Sequence, residues 1–331
     1  MEKRNLGKTD VKASVITFGA WAIGGWMWGG ADRGDAIDAI RASIDNGVTS
    51  IDTAPAYGQG LSEEITGEAI KGFDRSKLEI LTKFGLRWDT TEGEYYFSST
   101  DNMGRPIQMY KYAAPNAVIK ECEDSLKRLG TDYIDLFQIH WPDSTTPIAD
   151  TMEALDQLIR QGKIKAAGVC NYSADQMQEA EKVISLASNQ VPYSMVNRKI
   201  EKDVVPLCIK NKIAIIAYSP MQRGILIGKI KTGQTFNEGD TRQGSIYYTD
   251  ENIKRINFFL DKIKPVAESK NATTGQLVLR WTLDQPGITI ALAGARNSKQ
   301  AVENAAAAEL KISPSEMKFI NNELNNLRLD F

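Results

Sequence analysis

One histidine and three cysteines are all the imidazole and thiol groups that this chain of 331 residues carries. Cys122, Cys170 and Cys208 are odd in number and far apart, and no CxxC pair occurs. That argues against a disulfide framework and against a four-ligand zinc site. Neither HExxH nor a calcium-loop pattern is present, so no metal is expected. A basic excess is missing too: the formal net charge is −2. Little is available to neutralise the phosphates of a nucleic acid or the headgroups of a membrane surface. No run approaches the roughly 18 apolar residues of a membrane span. The opening MEKRNLGKTD lacks an apolar signal core, so the expected compartment is the cytoplasm. There is no low-complexity tract and no linker. With 42% hydrophobic and 25% charged residues, the composition is that of one globular domain.

What is present is alternation. Short apolar runs are expected as strands at Val15–Phe18, Thr49–Asp52, Ile80–Lys83, Tyr133–His140, Ala166–Cys170, Gln190–Val191, Ala214–Tyr218 and Thr289–Ala293. Amphipathic helices are expected between them, over Arg33–Asn46, Ser62–Lys71, Pro115–Leu129, Ile148–Gln161, Ser173–Ser185, Lys202–Asn211 and Thr274–Asp284. Two more, Ser298–Ala308 and Ser313–Leu327, close the chain. Pro115 at a helix start and Gly130 after its end are boundary signals. Runs such as AIIAY and AAGVC are apolar at consecutive positions, as in a parallel sheet buried on both faces. Eight such units in a chain of this length fit a closed (β/α)₈ TIM barrel better than a doubly wound sheet. No strand is followed by GxGxxG, which weakens that second option further. Two connections, about 85–114 and 220–249, are long and are read as loops at the C-terminal ends of strands, the second as a mobile flap.

In a barrel the C-terminal strand ends share one mouth. Asp52, Lys83 and His140 stand at three of those ends, and Tyr57 follows Asp52 in the loop IDTAPAYG. Each alone has a plain structural reading: a cap, a packed phenol, a core histidine. Lys83 is harder to dismiss, because an ammonium inside an apolar strand needs a partner, and Asp52 is the candidate.

These stretches resemble the aldo-keto reductases. The matching segments are IDTAPAYGQGLSEEITGEAI, EILTKFG, SLKRLGTDYIDLFQIHWPD, GKIKAAGVCNYS, AYSPMQRGIL and GARNSKQAVEN, and they cover nearly the whole chain. The wording WAIGGWMWGG, HWP and LDQPG is nearest to bacterial reductases of the general-stress and inositol-linked kind. The resemblance implies a barrel that binds a nicotinamide cofactor, NADPH rather than NADH, and reduces a small-molecule carbonyl reversibly. It assigns a catalytic tetrad to Asp52, Tyr57, Lys83 and His140. Tyr57 would be the general acid, Lys83 would lower its pKa, Asp52 would hold Lys83, and His140 would orient the carbonyl oxygen.

The same resemblance places the nicotinamide carboxamide on Asn171 and Gln190, with Cys170 where most relatives have serine. It puts the ring on Tyr218 and the pyrophosphate on Ser219, Met221, Gly224 and Leu226, largely through backbone N–H groups. Gly294, Ala295 and Arg296 precede a helix, with Arg296 toward the 2′-phosphate. Gln300, Glu303 and Asn304 fall to the adenine side. Trp21, Trp28, Trp88 and Trp141 are the candidate walls of the substrate pocket. Two alternatives stay open: a cofactor-binding, redox-sensing subunit with slow turnover, and a barrel enzyme that uses Lys83 as a Schiff base.

Overall fold

The computed structural model describes residues 1–237 and 239–331. Eight parallel strands close into a barrel: β1 (Ile16–Gly19), β2 (Ser50–Asp52), β3 (Glu79–Phe84), β4 (Ile134–Ile139), β5 (Ile164–Cys170), β6 (Ser188–Pro192), β7 (Ala214–Tyr218) and β8 (Ile288–Ala293). Each pairs with the next in sequence, and β8 returns to β1 through Ala291–Ile16 and Ala293–Phe18. All eight lie where strands are expected. A short antiparallel hairpin, Lys3–Asn5 with Lys12–Ser14, precedes them. Its Leu6, Val11 and Ala13 pack with Leu81, Leu136, Ala166, Ala214 and Ile290, and so plug the barrel floor.

Side chains two apart on a strand share a face. Following that face upward, Leu81 leads to Lys83, Leu136 to Gln138 and then His140, and Ala166 to Gly168 and then Cys170. The floor is apolar and the mouth polar, so the barrel itself carries the site's polarity gradient. Among the described residues, no helix is long and apolar enough to cross a membrane.

Helix boundaries follow the expected signals. Pro115 opens Pro115–Leu129, and Gly130 caps it in the left-handed region at φ 63°. The segment expected at Ser173–Ser185 is a shorter helix, Ala174–Ala180, started by a capping box of Ser173 and Gln176. Among the described residues one α-helix lies outside the expected set: Asp250–Glu268. Its Ile253, Ile256, Phe259, Leu260, Ile263 and Ala267 give it a buried stripe at helical spacing.

The connection 85–114 is not the irregular loop expected of it. It folds into a three-stranded antiparallel sheet of Leu86–Arg87, Glu94–Thr100 and Pro106–Lys111. The connection 220–249, whose residue 238 lies outside the described residues, contains 3₁₀ turns at Gln222–Ile227 and Ile246–Tyr248. The Tyr248 hydroxyl bonds the carbonyls of Gln222 and Arg223 and ties the two turns together.

A turn at Ala22–Gly24 presses backbone to backbone on the loop that carries Tyr57. A Cβ at Gly24 would stand 2.6 Å from the Tyr57 carbonyl oxygen, and one at Gly58, where φ is +72°, would stand 2.3 Å from that of Gly24. Gly58→Ala therefore combines a left-handed backbone with a steric collision. It should cost about 2 to 4 kcal/mol, read as a lowered urea midpoint. Gly104→Ala has a similar φ of +76° but nothing within 4 Å, and should cost markedly less. Equal losses would mean that the close approach is not tight.

Candidate active site

The four residues expected at one mouth are brought together there. Lys83 Nζ donates to Asp52 Oδ1 at 2.6 Å and to the Thr53 carbonyl at 2.9 Å, and both side chains of the ion pair are buried. Gln190 Nε2 donates to the second carboxylate oxygen of Asp52 at 2.8 Å. Lys83 Nζ lies 4.9 Å from the Tyr57 ring centre, and Tyr57 meets His140 edge to face at 5.5 Å.

Electrostatics separates the roles. Burial is the largest single effect on the Lys83 ammonium and pulls its pKa down, but the Asp52 carboxylate, with Tyr57 and Cys170 adding to it, holds the pKa above the ordinary lysine range. Burial, with the Lys83 charge adding to it, drives the His140 pKa well below its usual value, so the imidazole is neutral at pH 7. The expectation for Tyr57 needs correction. Lys83 does favour the phenolate, but burial is the larger effect, and the phenol is pushed up to about 12. Burial also raises the Cys170 thiol and keeps it protonated.

These groups stand at one end of a cavity of about 830 Å³. Of the expected cofactor residues, Asn171, Gln190, Tyr218, Ser219, Met221, Gly224, Gly294, Arg296, Gln300, Glu303 and Asn304 all line it. Asn171 is fixed on both sides, donating to the His140 carbonyl at 3.1 Å and accepting from the Tyr218 hydroxyl at 3.0 Å. Leu226 does not line it. Its side chain is in the core, and its N–H is spent on the Met221 carbonyl, which also takes the N–H of Gly224. Those two amides are therefore not free donors for a pyrophosphate.

Trp21, Trp28 and Trp141 line the cavity, but Trp88 does not. The strand Leu86–Arg87 turns Trp88 onto the cluster formed by Trp26, Ala56, Leu86 and Met109. Trp26 takes a place in the wall instead. Its ring stacks on Phe97 at 6.2 Å, and its N–H bonds the Thr100 carbonyl at 3.0 Å. Tyr96 packs on Trp141 at 5.4 Å. The sequence signal for Trp26 was its place beside Trp21 and Trp28. Tyr96 and Phe97 could be found only by recognising a strand in the insertion.

The lining also carries cations, Arg223, Lys229, Arg242, Arg296 and Lys299, with Glu303 among them. Arg242 and Arg296 each sit 5.3 Å from the Trp28 ring, and Arg223 sits 5.3 Å from that of Trp21. Arg242 is paired with Asp240. Among the described residues no carboxylate pairs with Arg223 or Arg296, and burial pulls both guanidinium pKa values down. Two undercompensated guanidiniums beside planar aromatic faces suit an anionic, flat-ringed molecule such as a nicotinamide dinucleotide. The shielded indole N–H groups of Trp21 and Trp28 also find no acceptor among the described residues. No group of three or more His, Cys, Asp or Glu among the described residues is placed to hold a metal.

Removing one partner of a buried ion pair strands the other. Lys83→Met should cost about 3 to 5 kcal/mol in a urea titration, and the double variant with Asp52→Asn should recover part of it. A loss under about 1 kcal/mol would mean that water reaches the pair.

The family model described as the aldo/keto reductase family matches residues 15–324. The chain is 38% identical over 328 residues to the aldo-keto reductase YhdN of Bacillus subtilis, covering 98% of this chain and 94% of that one. It is 35% identical over 321 residues to the NADH-specific methylglyoxal reductase of Escherichia coli, covering 96% of each. Among solved structures, the glycerol dehydrogenase AKR11B4 from Gluconobacter oxydans superposes with a TM-score of 0.87 at 35% identity, covering 98% of this chain and 95% of the other. By matched length and by the order of its strands, the chain belongs to the aldo/keto reductase family.

Proposed function

We propose that the chain is an NADPH-dependent reductase of small aldehydes and sugar-derived carbonyls, working reversibly. The observation that carries this reading is one cavity lined both by Tyr57 and His140 and by two guanidiniums, Arg223 and Arg296, that no carboxylate pairs among the described residues. When bound, the reduced nicotinamide supplies a hydride. The remaining work falls to side chains of this chain. Tyr57 keeps its proton at neutral pH, because its pKa is pushed up to about 12, and so offers an O–H to the carbonyl oxygen. Lys83, beside the ring, stabilises the phenolate left behind. His140 is neutral, so it donates a hydrogen bond and does not compete as the acid. Asp52 keeps Lys83 charged and fixed. Trp21, Trp26, Tyr96, Phe97 and Trp141 wall the cavity with aromatic faces, which suits the flat carbon skeleton of a small carbonyl compound.

NADPH is favoured by Arg296, which donates to the Trp28 carbonyl at 2.7 Å yet has no carboxylate partner among the described residues. Its neighbour Arg242 adds to the positive field. The name of the Escherichia coli relative points to NADH instead, so the pair of cofactors must be compared directly. Arg296→Ala should weaken NADPH binding about tenfold or more and leave NADH nearly unchanged, as read by quenching of protein fluorescence. Equal losses would remove Arg296 from the 2′-phosphate.

Tyr57→Phe should lower carbonyl reduction by two orders of magnitude or more while NADPH still binds. A variant that retains most of its rate would rule out Tyr57 as the acid. In the wild type, alcohol oxidation needs the phenolate. It should therefore speed up as pH rises toward the Tyr57 pKa, while reduction holds across the neutral range. Steady absorbance loss at 340 nm with small aldehydes distinguishes this reading from a slow redox-sensing subunit, which would bind the cofactor and hardly turn over.

A further inference from the structure

Gln190 has two jobs open to it and one polar atom already committed. It lines the cavity, and its Nε2 donates to Asp52 Oδ2 at 2.8 Å. The orientation of the amide is fixed by chemistry: turned over, its oxygen would face a carboxylate with no proton between them. The amide oxygen is then the atom it has left for a ligand, and it can only accept. A carboxamide N–H on a bound nicotinamide is such a donor. An amide that accepts at one end donates more strongly at the other.

We propose that Gln190 is a positioning residue that braces the Asp52–Lys83 pair and links its protonation to occupancy of the nicotinamide end of the cavity. Asp52 is held from two other strands. Lys83 comes from β3, the Thr53 carbonyl shares the ammonium, and Gln190 comes from β6 on the far side. The other titratable groups packed around the pair are Tyr57 from the loop after β2, His140 from the end of β4 and Cys170 from the end of β5. None of these gives Asp52 Oδ2 a hydrogen bond. Burial raises the Asp52 pKa; the Lys83 charge and hydrogen bond oppose that rise most, and the Gln190 bond, followed by Gln138 of β4, adds to them. Without the bond, Asp52 takes up its proton at a higher pH, and Lys83 loses its counter-ion there. By linkage, whatever strengthens the bond from the cavity side holds Asp52 ionised to lower pH.

The chain's single histidine is the reporter. His140 stands beside Lys83 and Tyr57, so the imidazole signal of protein labelled at histidine needs no assignment. Acid titration of the cofactor-free protein should show an inflection that is lost in Asp52→Asn. In Gln190→Met it should move up by about one pH unit. Gln190→Asn, too short to reach Asp52, should move it the same way and stands in if the first variant folds poorly. NADPH added to the wild type should move the inflection down, and should not do so in either variant. An inflection that stays in place, whether NADPH affinity falls or not, would reduce Gln190 to a nucleotide ligand and overturn the brace. The acid limb of kcat at saturating NADPH should follow the inflection in the variants, whatever loss of NADPH affinity accompanies removal of the carboxamide contact. That last readout rests on the proposed reductase activity and the titration does not, so an inactive wild type would refute the activity and leave the brace to the titration.

Discussion

A lysine ammonium at the centre of the barrel must be neutralised where water cannot do it, and the Asp52 carboxylate at 2.6 Å is the answer. Isolated, either charge would cost several kcal/mol, and the pair is tolerable only because its remaining valences are filled. Thr53 and Gln190 fill them. The fixed positive charge then acts on its neighbours. It adds to the burial that keeps the His140 imidazole neutral, and makes departure of the Tyr57 proton less costly than burial alone would allow. The pair thus acts, beside burial, on the protonation of both neighbours, and it owes its position to strands as far apart in sequence as those of Asp52 and Gln190.

Above this layer the barrel leaves an open mouth, and three segments close it from different sides. The turn at Ala22–Gly24 and the tryptophans after it form one side. The inserted sheet is anchored there by Asn102, which donates to the Gly24 carbonyl at 2.8 Å, and it brings Tyr96 and Phe97. The connection after β7 joins them through the Thr241 N–H on the Met27 carbonyl and through the guanidiniums over Trp21 and Trp28. Shape selectivity is therefore a property of how these segments fit one another, while the chemistry belongs to the strands.

That division also explains what could be read from the sequence. Buried parallel strands advertise themselves as consecutive apolar residues, and a polar residue at the top of such a run stands out, as Lys83 and His140 do. The inserted sheet does not advertise itself. A register shift between Tyr95 and Phe97 breaks the alternation that would mark Glu94–Thr100 as a strand, which hides Phe97, while the two-residue strand Leu86–Arg87 that turns Trp88 out of the pocket is too short to show any pattern. Leu226 was misplaced because the turn before it reverses through left-handed Arg223 and Gly224. Helix Asp250–Glu268 contains Pro265, a residue that ordinarily marks a boundary. The Tyr57 pKa is the outcome of two opposing effects, burial and the Lys83 charge, and the depth of burial is not legible in a sequence.

The backbone contact between Gly24 and Gly58 has a consequence for heredity and for engineering. With no side chain at either position, the Trp-bearing turn and the Tyr57 loop meet as two bare main chains. A swap that brings in one of these segments from another protein without the other would meet a surface it was not shaped for. The two therefore form a single transplantable cassette, discontinuous in sequence: 21–30 and 52–60 travel together or not at all.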